Sequence, residues 1–350
     1  MAPLRPSRRA RLPAVLVAAA LLGAGCSSGG DDAAGGSDTT AEETTTTTAV
    51  PVLAPLTGLV LDDGDVADRP AVTVKVDNGP QGRPQSGIDK ADVLIEEKVE
   101  GGITRFLSVF HSEDATLIGP VRSVRSTDPG LIGTFGGVFA FAGGIPEFER
   151  QARQQPVTVV SESASSQGFQ YRADKQRPFK TYTSTAKLRS LARDHDRPPP
   201  TLFEFLPAGQ PFAPAGAVPA TSATVSFGRT TVALQWDATG GVWKRSTNGT
   251  PHTVEGGAQL TFTNVIIQKT PYVATRFRDP SGARVDEAQV VGSGDAVVLS
   301  QGKRADVQWA KASPTSVTTY TDSTGRPVQL ARGQTLIALP PTAGGSVTVT

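Results

Sequence analysis

The sequence holds one cysteine, three histidines and one methionine in 350 residues. A lone Cys26 can form neither a disulfide within the chain nor a Cys-x-x-Cys redox or zinc motif. His111, His195 and His252 fall in separate segments without zinc-ligand spacing, so no metal site is expected. No Gly-x-Ser-x-Gly elbow, phosphate loop or dinucleotide fingerprint occurs, and no cofactor is expected. Neither sign of charge is in excess: 34 Lys and Arg against 33 Asp and Glu leave +1. Nucleic-acid binding needs a clearly basic face, so that class of partner is excluded. Long apolar runs are absent as well. The run Leu12 to Ala24, interrupted by Pro13 and Gly23, falls short of the ~20 apolar residues of a membrane-spanning helix.

That short run has a meaning of its own. Arg5, Arg8, Arg9 and Arg11 precede it, which is the layout of a secretory signal peptide over residues 1–25. Leu22-Gly23-Ala24-Gly25-Cys26 resembles the bacterial lipobox, whose cysteine is lipidated and becomes the mature N-terminus; Gly23 stands where leucine is usual. Ser7-Arg8-Arg9 leaves the general and twin-arginine export routes both open. Residues 26–50 contain Ser, Gly, Ala, Asp, Glu and the run Thr44 to Thr48, with too little apolar surface to offset the entropy of ordering. They are expected to be a disordered tether. Flexible-chain scaling of ~5–6 Å times the square root of length gives it a reach of tens of Å. The expectation is a protein lipid-anchored at Cys26, on the extracytoplasmic face of the cell membrane.

The remainder has two composition regimes. Residues 51–206 mix strand and helix signals. Ala71 to Val76 alternates and closes in the turn Asp77-Asn78-Gly79-Pro80; Ala91 to Val99, Arg105 to Phe110, Val138 to Ala142 and Val157 to Val160 are further strands. Asp128-Pro129 reads as an N-cap and first residue of a helix to about Phe135. A second helix opens at Pro146, and a third runs from Thr183 or Ser184 to about Arg193. Residues 207–220, with four prolines, read as a linker. Residues 221–350 are a succession of short β-branched or aromatic runs, among them Thr231 to Trp236, Leu260 to Ile267 and Thr335 to Leu339. The fold class is α+β: an N-terminal mixed α/β sheet domain followed by a mostly β C-terminal domain, a small barrel or sandwich.

Chemistry concentrates in two stretches. "GPVRSVRS", Gly119 to Ser126, places Arg122 and Arg125 just ahead of the helix expected at Pro129. Arginine presents a fork suited to carboxylate or phosphate, and helix N–H groups near Ser126 and Thr127 would add to it. In "EEKVEGGITR", Glu96 to Arg105, alternation sends Glu96, Lys98 and Glu100 to one face and Glu97 to the other. The candidate ligand set is Arg105, Arg122, Arg125, Ser123, Ser126, Glu97 and Glu100. The arginines either pair with Glu96, Glu97 or Glu100 as structure, or face an anionic ligand; both readings stand. In a strand, positions three apart point oppositely, so the segment must coil for Arg122 and Arg125 to converge. The glycine doublets at 101–102, 136–137 and 143–144 suit close backbone approach to a ligand or tight turns.

"EGGITRFLSVF", "GPVRSVRS" and "RPQSGIDKADVLIEE" together resemble the YerB-like bacterial lipoproteins, a two-domain family of unknown function. The resemblance runs over nearly all of Pro55 to Leu339 and continues in "LTFTNVIIQ", "GSGDAVVLSQGK", "DVQWAK" and "GRPVQLARGQTLIALPP". It implies a membrane-anchored, two-domain extracytoplasmic protein and carries no activity with it. It also implies histidine at two places where this chain has Ala142 and Phe179, which favours binding over catalysis. The expected function is an envelope binding or scaffolding module with an anion-accepting arginine site. Its partners would be the membrane and an anionic envelope ligand or another envelope protein. The alternative is a hydrolase of envelope glycans or peptides, with Glu97 or Glu100 as general acid or base.

Overall fold

The computed structural model describes residues 51–62 and 64–350. The expected signal peptide, Cys26 and the tether at 26–50 lie outside the described residues. The first half supplies β1 (Val72–Asp77), β2 (Val93–Lys98), β3 (Thr104–Phe110), β4 (Val138–Phe141) and β5 (Thr158–Ser161). Its helices are short: α1 (Gly64–Asp68), α2 (Pro129–Ile132), α3 (Pro146–Ala152) and α4 (Thr185–Arg189). Each of the five strands falls within two residues of its sequence expectation. Ser184 caps α4 by accepting from the Lys187 N–H at 3.3 Å.

An eleven-stranded mixed sheet takes strands from both halves of the sequence. Its central order is Gly292–Ser300, Asn264–Gln268, Thr335–Leu339, β2, β3, β1, β4, β5. The two halves join where β2 runs parallel to Thr335–Leu339, Ile95 opposite Ile337 and Glu97 opposite Leu339. The proline-rich stretch 207–220 is therefore not a boundary of the sheet. Phe212 within it is fully buried, and its N–H donates to Gln301 at 2.6 Å.

A second, six-stranded sheet contains Ser222–Ser226, Thr231–Asp237, Val242–Thr247 and Ser346–Val349. The mostly β character of the C-terminal half holds, with its strands divided between the two sheets. Alternation decides what each face of the large sheet meets. Val72, Val74, Val76, Leu94, Phe106 and Phe110 pack in a core with Val225, Leu234 and Trp243 of the second sheet. Ile95, Leu107, Val109 and Ile337 pack on the opposite side with Ile132, Phe135, Phe148 and Leu202. Both faces are covered, so its central strands read as near-continuous apolar runs. At ~25 cal/mol per Å² of apolar area, each fully buried Val, Leu or Phe contributes roughly 1.5–3 kcal/mol.

The charges sit among these apolar rows. Thr73, Lys75 and Asp77 of β1 alternate with buried valines, yet Lys75 and Asp77 are themselves buried, at 0% and 2% exposure. The connection 119–128 starts beside the end of β1, where Arg122 N–H donates to Lys75 O at 2.8 Å and Asp77 N–H to Pro120 O at 3.0 Å, and its Asp128 then reaches Lys75 Nζ.

Candidate functional site

Across β1, β3 and β2 one row reads Asp77, Arg105, Glu97. All three are buried on the same face. Lateral neighbours of opposite charge would be expected to pair. Instead each carboxylate is drawn to another cation. Asp77 Oδ2 lies 2.7 Å from Arg122 Nε, with the N–H directed off the oxygen, and Asp77 Oδ1 accepts from Gly79 N–H at 2.6 Å. Glu97 pairs with Lys75, whose Nζ also reaches Asp128 Oδ1 at 2.6 Å. Burial, with Asp128 adding to it, raises the Glu97 pKa, while Lys75 opposes the rise.

Arg105 is left without a carboxylate at ion-pair distance among the described residues. It donates to Ser123 O at 3.2 Å, and its buried Nε has no acceptor. Arg125 Nε pairs with Glu100 Oε2 at 2.9 Å. Three guanidinium groups thus share two carboxylates. Burial pushes the Arg105 pKa down to about 9, and the charges of Arg125 and Arg122 push it the same way; Asp77 and Glu100 offset only part. Arg122 also lies 5.2 Å from the Phe179 ring centre and donates to Pro178 O at 3.2 Å. The side chains of Arg122 and Arg125 keep 19% and 12% exposure, so solvent reaches the cluster through them.

The structure brings Arg105, Arg122, Arg125, Ser123 and Glu100 together, with Glu97 one link further inside through Lys75 and Asp128. Glu100 leaves the alternation expected of it. β2 ends at Lys98, and Gly101 at φ +72° turns the chain, carrying Glu100 to Arg125. The arginines converge because residues 122–125 belong to no strand and a turn follows from Ser126.

The expected helix end makes no site. α2 has four residues, and Asp128 does not cap it; Asp128 Oδ2 accepts from Arg125 N–H at 2.7 Å instead. Ser123 donates to Ala142 O and Ser126 to Asp286 O, at 3.0 and 3.2 Å, while Thr127 Oγ1 accepts from Ala288 N–H. Ser126 lines a neighbouring cleft of about 300 Å³ with Gln151, Gln154 and Gln289, and no arginine lines it. The glycine doublet at 136–137 is a packed turn. Gly137 has φ +64°, and a Cβ there would come 2.1 Å from Ala71 O.

A second buried polar network occupies the opposite face of β2 and was not anticipated. Glu96 meets Arg245 of the second sheet at 2.7 Å, both fully buried. Asn78 and Thr104 also donate to Glu96 Oε1, at 3.0 and 2.7 Å. Gln85 spends its Nε2 on Asp77 O and Asn78 Oδ1, so its Oε1 accepts and His252 Nε2 carries the proton, at 2.9 Å. His252 Nδ1 then accepts from Arg245 and Thr247. Burial and the Arg245 charge hold this imidazole neutral, with its pKa lowered to about 2. His111 stays neutral near pKa 4, chiefly through burial. Among the described residues, no cluster of three His, Cys, Asp or Glu could hold a metal ion.

Comparison with known proteins gives one consistent picture. Residues 56–197 match the N-terminal domain, and residues 223–337 the C-terminal domain, of a protein family of unknown function (DUF3048). Over 140 residues the chain is 37% identical to "Putative lipoprotein YerB" of Bacillus subtilis (strain 168), a match spanning 40% of this chain and 42% of that relative. The crystal structure of YerB protein from Bacillus subtilis superposes with a TM-score of 0.70 at 24% identity, covering 85% of this chain and 99% of that one. That likeness extends to the fold.

Proposed function

Because the chain belongs to the two-domain DUF3048 family of YerB-like proteins, we propose that it is a lipid-anchored extracytoplasmic binding or scaffolding module of the cell envelope that accepts an anionic ligand at Arg105, Arg122 and Arg125. One observation carries the reading: Arg105 is a buried guanidinium beside two others, without a carboxylate of its own. An oxyanion among the three would supply the missing charge and accept bidentate hydrogen bonds. Ala142 and Phe179, where the family resemblance implies histidine, both adjoin Arg122: Ala142 N–H donates to Arg122 O at 2.9 Å, and Phe179 faces the guanidinium. The cluster's chemistry in this chain is therefore that of holding charge rather than moving protons. The hydrolase reading is the weaker one, since Glu97 is 1% exposed and Glu100 is committed to Arg125.

Anchoring rests on the lipobox-like Leu22–Cys26 and on the name of the B. subtilis relative. The test is calorimetric titration of the full chain in detergent with muropeptides and with inorganic phosphate, followed by mass analysis of the recovered fragments. Retention of intact fragments, lost in Arg105→Met, is the expected result. Cleavage abolished by Glu100→Gln would install the hydrolase instead.

A further inference from the structure

We propose that the cleft between residues 80–84 and 247–253 is a separate binding site for a small hydroxylated oxyanion, with Arg83 as its charged contact. The cleft is about 420 Å³, within the range of small-molecule sites of ~300–1,000 Å³. Arg83 is its only charged wall; no carboxylate lines it. Arg83 makes no hydrogen bond or ion pair among the described residues, and its Nε is buried without an acceptor. The side chain is half-buried, and its terminal nitrogens remain open to solvent and to a ligand. Burial lowers its pKa and the nearby Arg245 charge adds to the effect, while Glu96 and Asp77 offset part of it.

The other walls are neutral hydrogen-bonding groups and three prolines. Thr250 and Thr253 bring hydroxyls, while that of Thr247 is already bonded to His252 and Arg245. Asn248 accepts from Thr231 N–H at its Oδ1, 2.7 Å away, so its amide N–H₂ is left as a donor. Hydroxyls and an amide around one arginine suit a phosphate or carboxylate on a body that carries hydroxyl groups.

The two walls are fixed relative to each other. Gln85, two residues beyond Arg83, is bonded to His252 at 2.9 Å, and Glu255 N–H donates to Gln85 O at 2.8 Å. Arg172 and Ser86 both hold Glu255 from the other side. A cleft already held open loses little ordering entropy when it binds. The Arg105 cluster is different in kind: Asp77 and Glu100 lie at ion-pair distance from its arginines, whereas Glu96 and Asp77 act on Arg83 only from beyond that distance.

Amide NMR of the full chain during titration with inorganic phosphate, glycerol phosphate and lactate tests this. Saturating shifts at residues 247–253 and 80–86, separate from any at the Arg105 cluster, are expected from at least one probe, and the probe class that saturates assigns the oxyanion. Arg83→Gln should weaken that binding at least about tenfold, a difference of ~1.4 kcal/mol. Arg83→Lys, which keeps the charge and loses the fork, should fall between, and Arg105→Met should leave these shifts unchanged. Absence of saturating shifts with all three probes overturns the proposal. So does an Arg83→Gln titration matching wild type.

Discussion

Replacing Arg105 by methionine should make the free protein more stable, although it deletes a buried polar side chain. The guanidinium has lost its water without gaining a counter-ion. Its pKa falls from the ordinary arginine value to about 9, which at ~1.4 kcal/mol per pH unit is on the order of 5 kcal/mol against the charged form at pH 7. The hydrogen bond to Ser123 O returns part of this, about 1.5–3 kcal/mol for a charged donor. Methionine fills similar space without needing a partner. The net gain expected is ~1–3 kcal/mol, or a Tm higher by roughly 2–6 °C.

The effect has a pH signature. From about 9 up to the ordinary arginine pKa the unfolded chain holds the Arg105 proton and the folded chain does not. Stability therefore rises with pH in that window, and the penalty is complete below it. Guanidinium chloride melts of wild type and Arg105→Met at pH 7 and pH 10 should show the gap narrowing at the higher pH. A methionine variant less stable than wild type by more than ~2 kcal/mol at pH 7 would refute the reasoning, because it would mean that Arg105 is well paired in the free protein.

Other expectations follow from the same contacts. Arg245→Met strands a fully buried Glu96 and should cost ~3–5 kcal/mol in urea melts; adding Glu96→Gln should restore part of it, since an amide needs no counter-ion. Asp77→Asn weakens the contacts to Arg122 and Gly79 N–H. It should cost about 2–3 kcal/mol while tightening phosphate binding at the arginines, as calorimetry would read. With its pKa near 2, His252 should show no imidazole titration by NMR from pH 8 to pH 4. Because the unfolded histidine protonates near 6.5, this residue's contribution to stability is present above that pH and is lost as the pH falls below it. Cys26→Ala should move the protein from the membrane fraction to the soluble fraction, which immunoblotting of fractionated cells would record.

The strands of the first half were legible because both their faces are apolar or their charges alternate. That same legibility concealed the site. In Ala71-Val-Thr-Val-Lys-Val-Asp77, alternation makes Thr73, Lys75 and Asp77 look like a solvated face, and nothing local announces that 119–128 will cover it. Arg122 and Arg125 stood out by their spacing. Arg105 was named, but its lack of a carboxylate depends on partners brought from three other segments. Val242–Thr247 escaped notice because Arg245, an inward position, breaks its apolar alternation; the residue that satisfies it, Glu96, is 149 positions away. The parallel pairing of β2 with Thr335–Leu339 likewise has no local signature. Turn chemistry and strand period report on neighbours in sequence, and a shared sheet is a relation between distant segments. The helix expected from Asp128-Pro129 shrank because the aspartate is held by Lys75 and the Arg125 N–H rather than by the helix end.

The central claim is that an oxyanion is accepted where Arg105, Arg122 and Arg125 meet. Its most direct measurement is NMR of the arginine Nε–Hε resonances during phosphate titration of the wild-type chain, assigned by single Arg-to-Met variants. The Arg105 resonance should move first and furthest, saturate, and be followed by those of Arg122 and Arg125. The latter two should barely respond once Arg105 is methionine. An Arg105 resonance that stays fixed through the titration, or Arg122 and Arg125 responses identical in Arg105→Met, would contradict the claim.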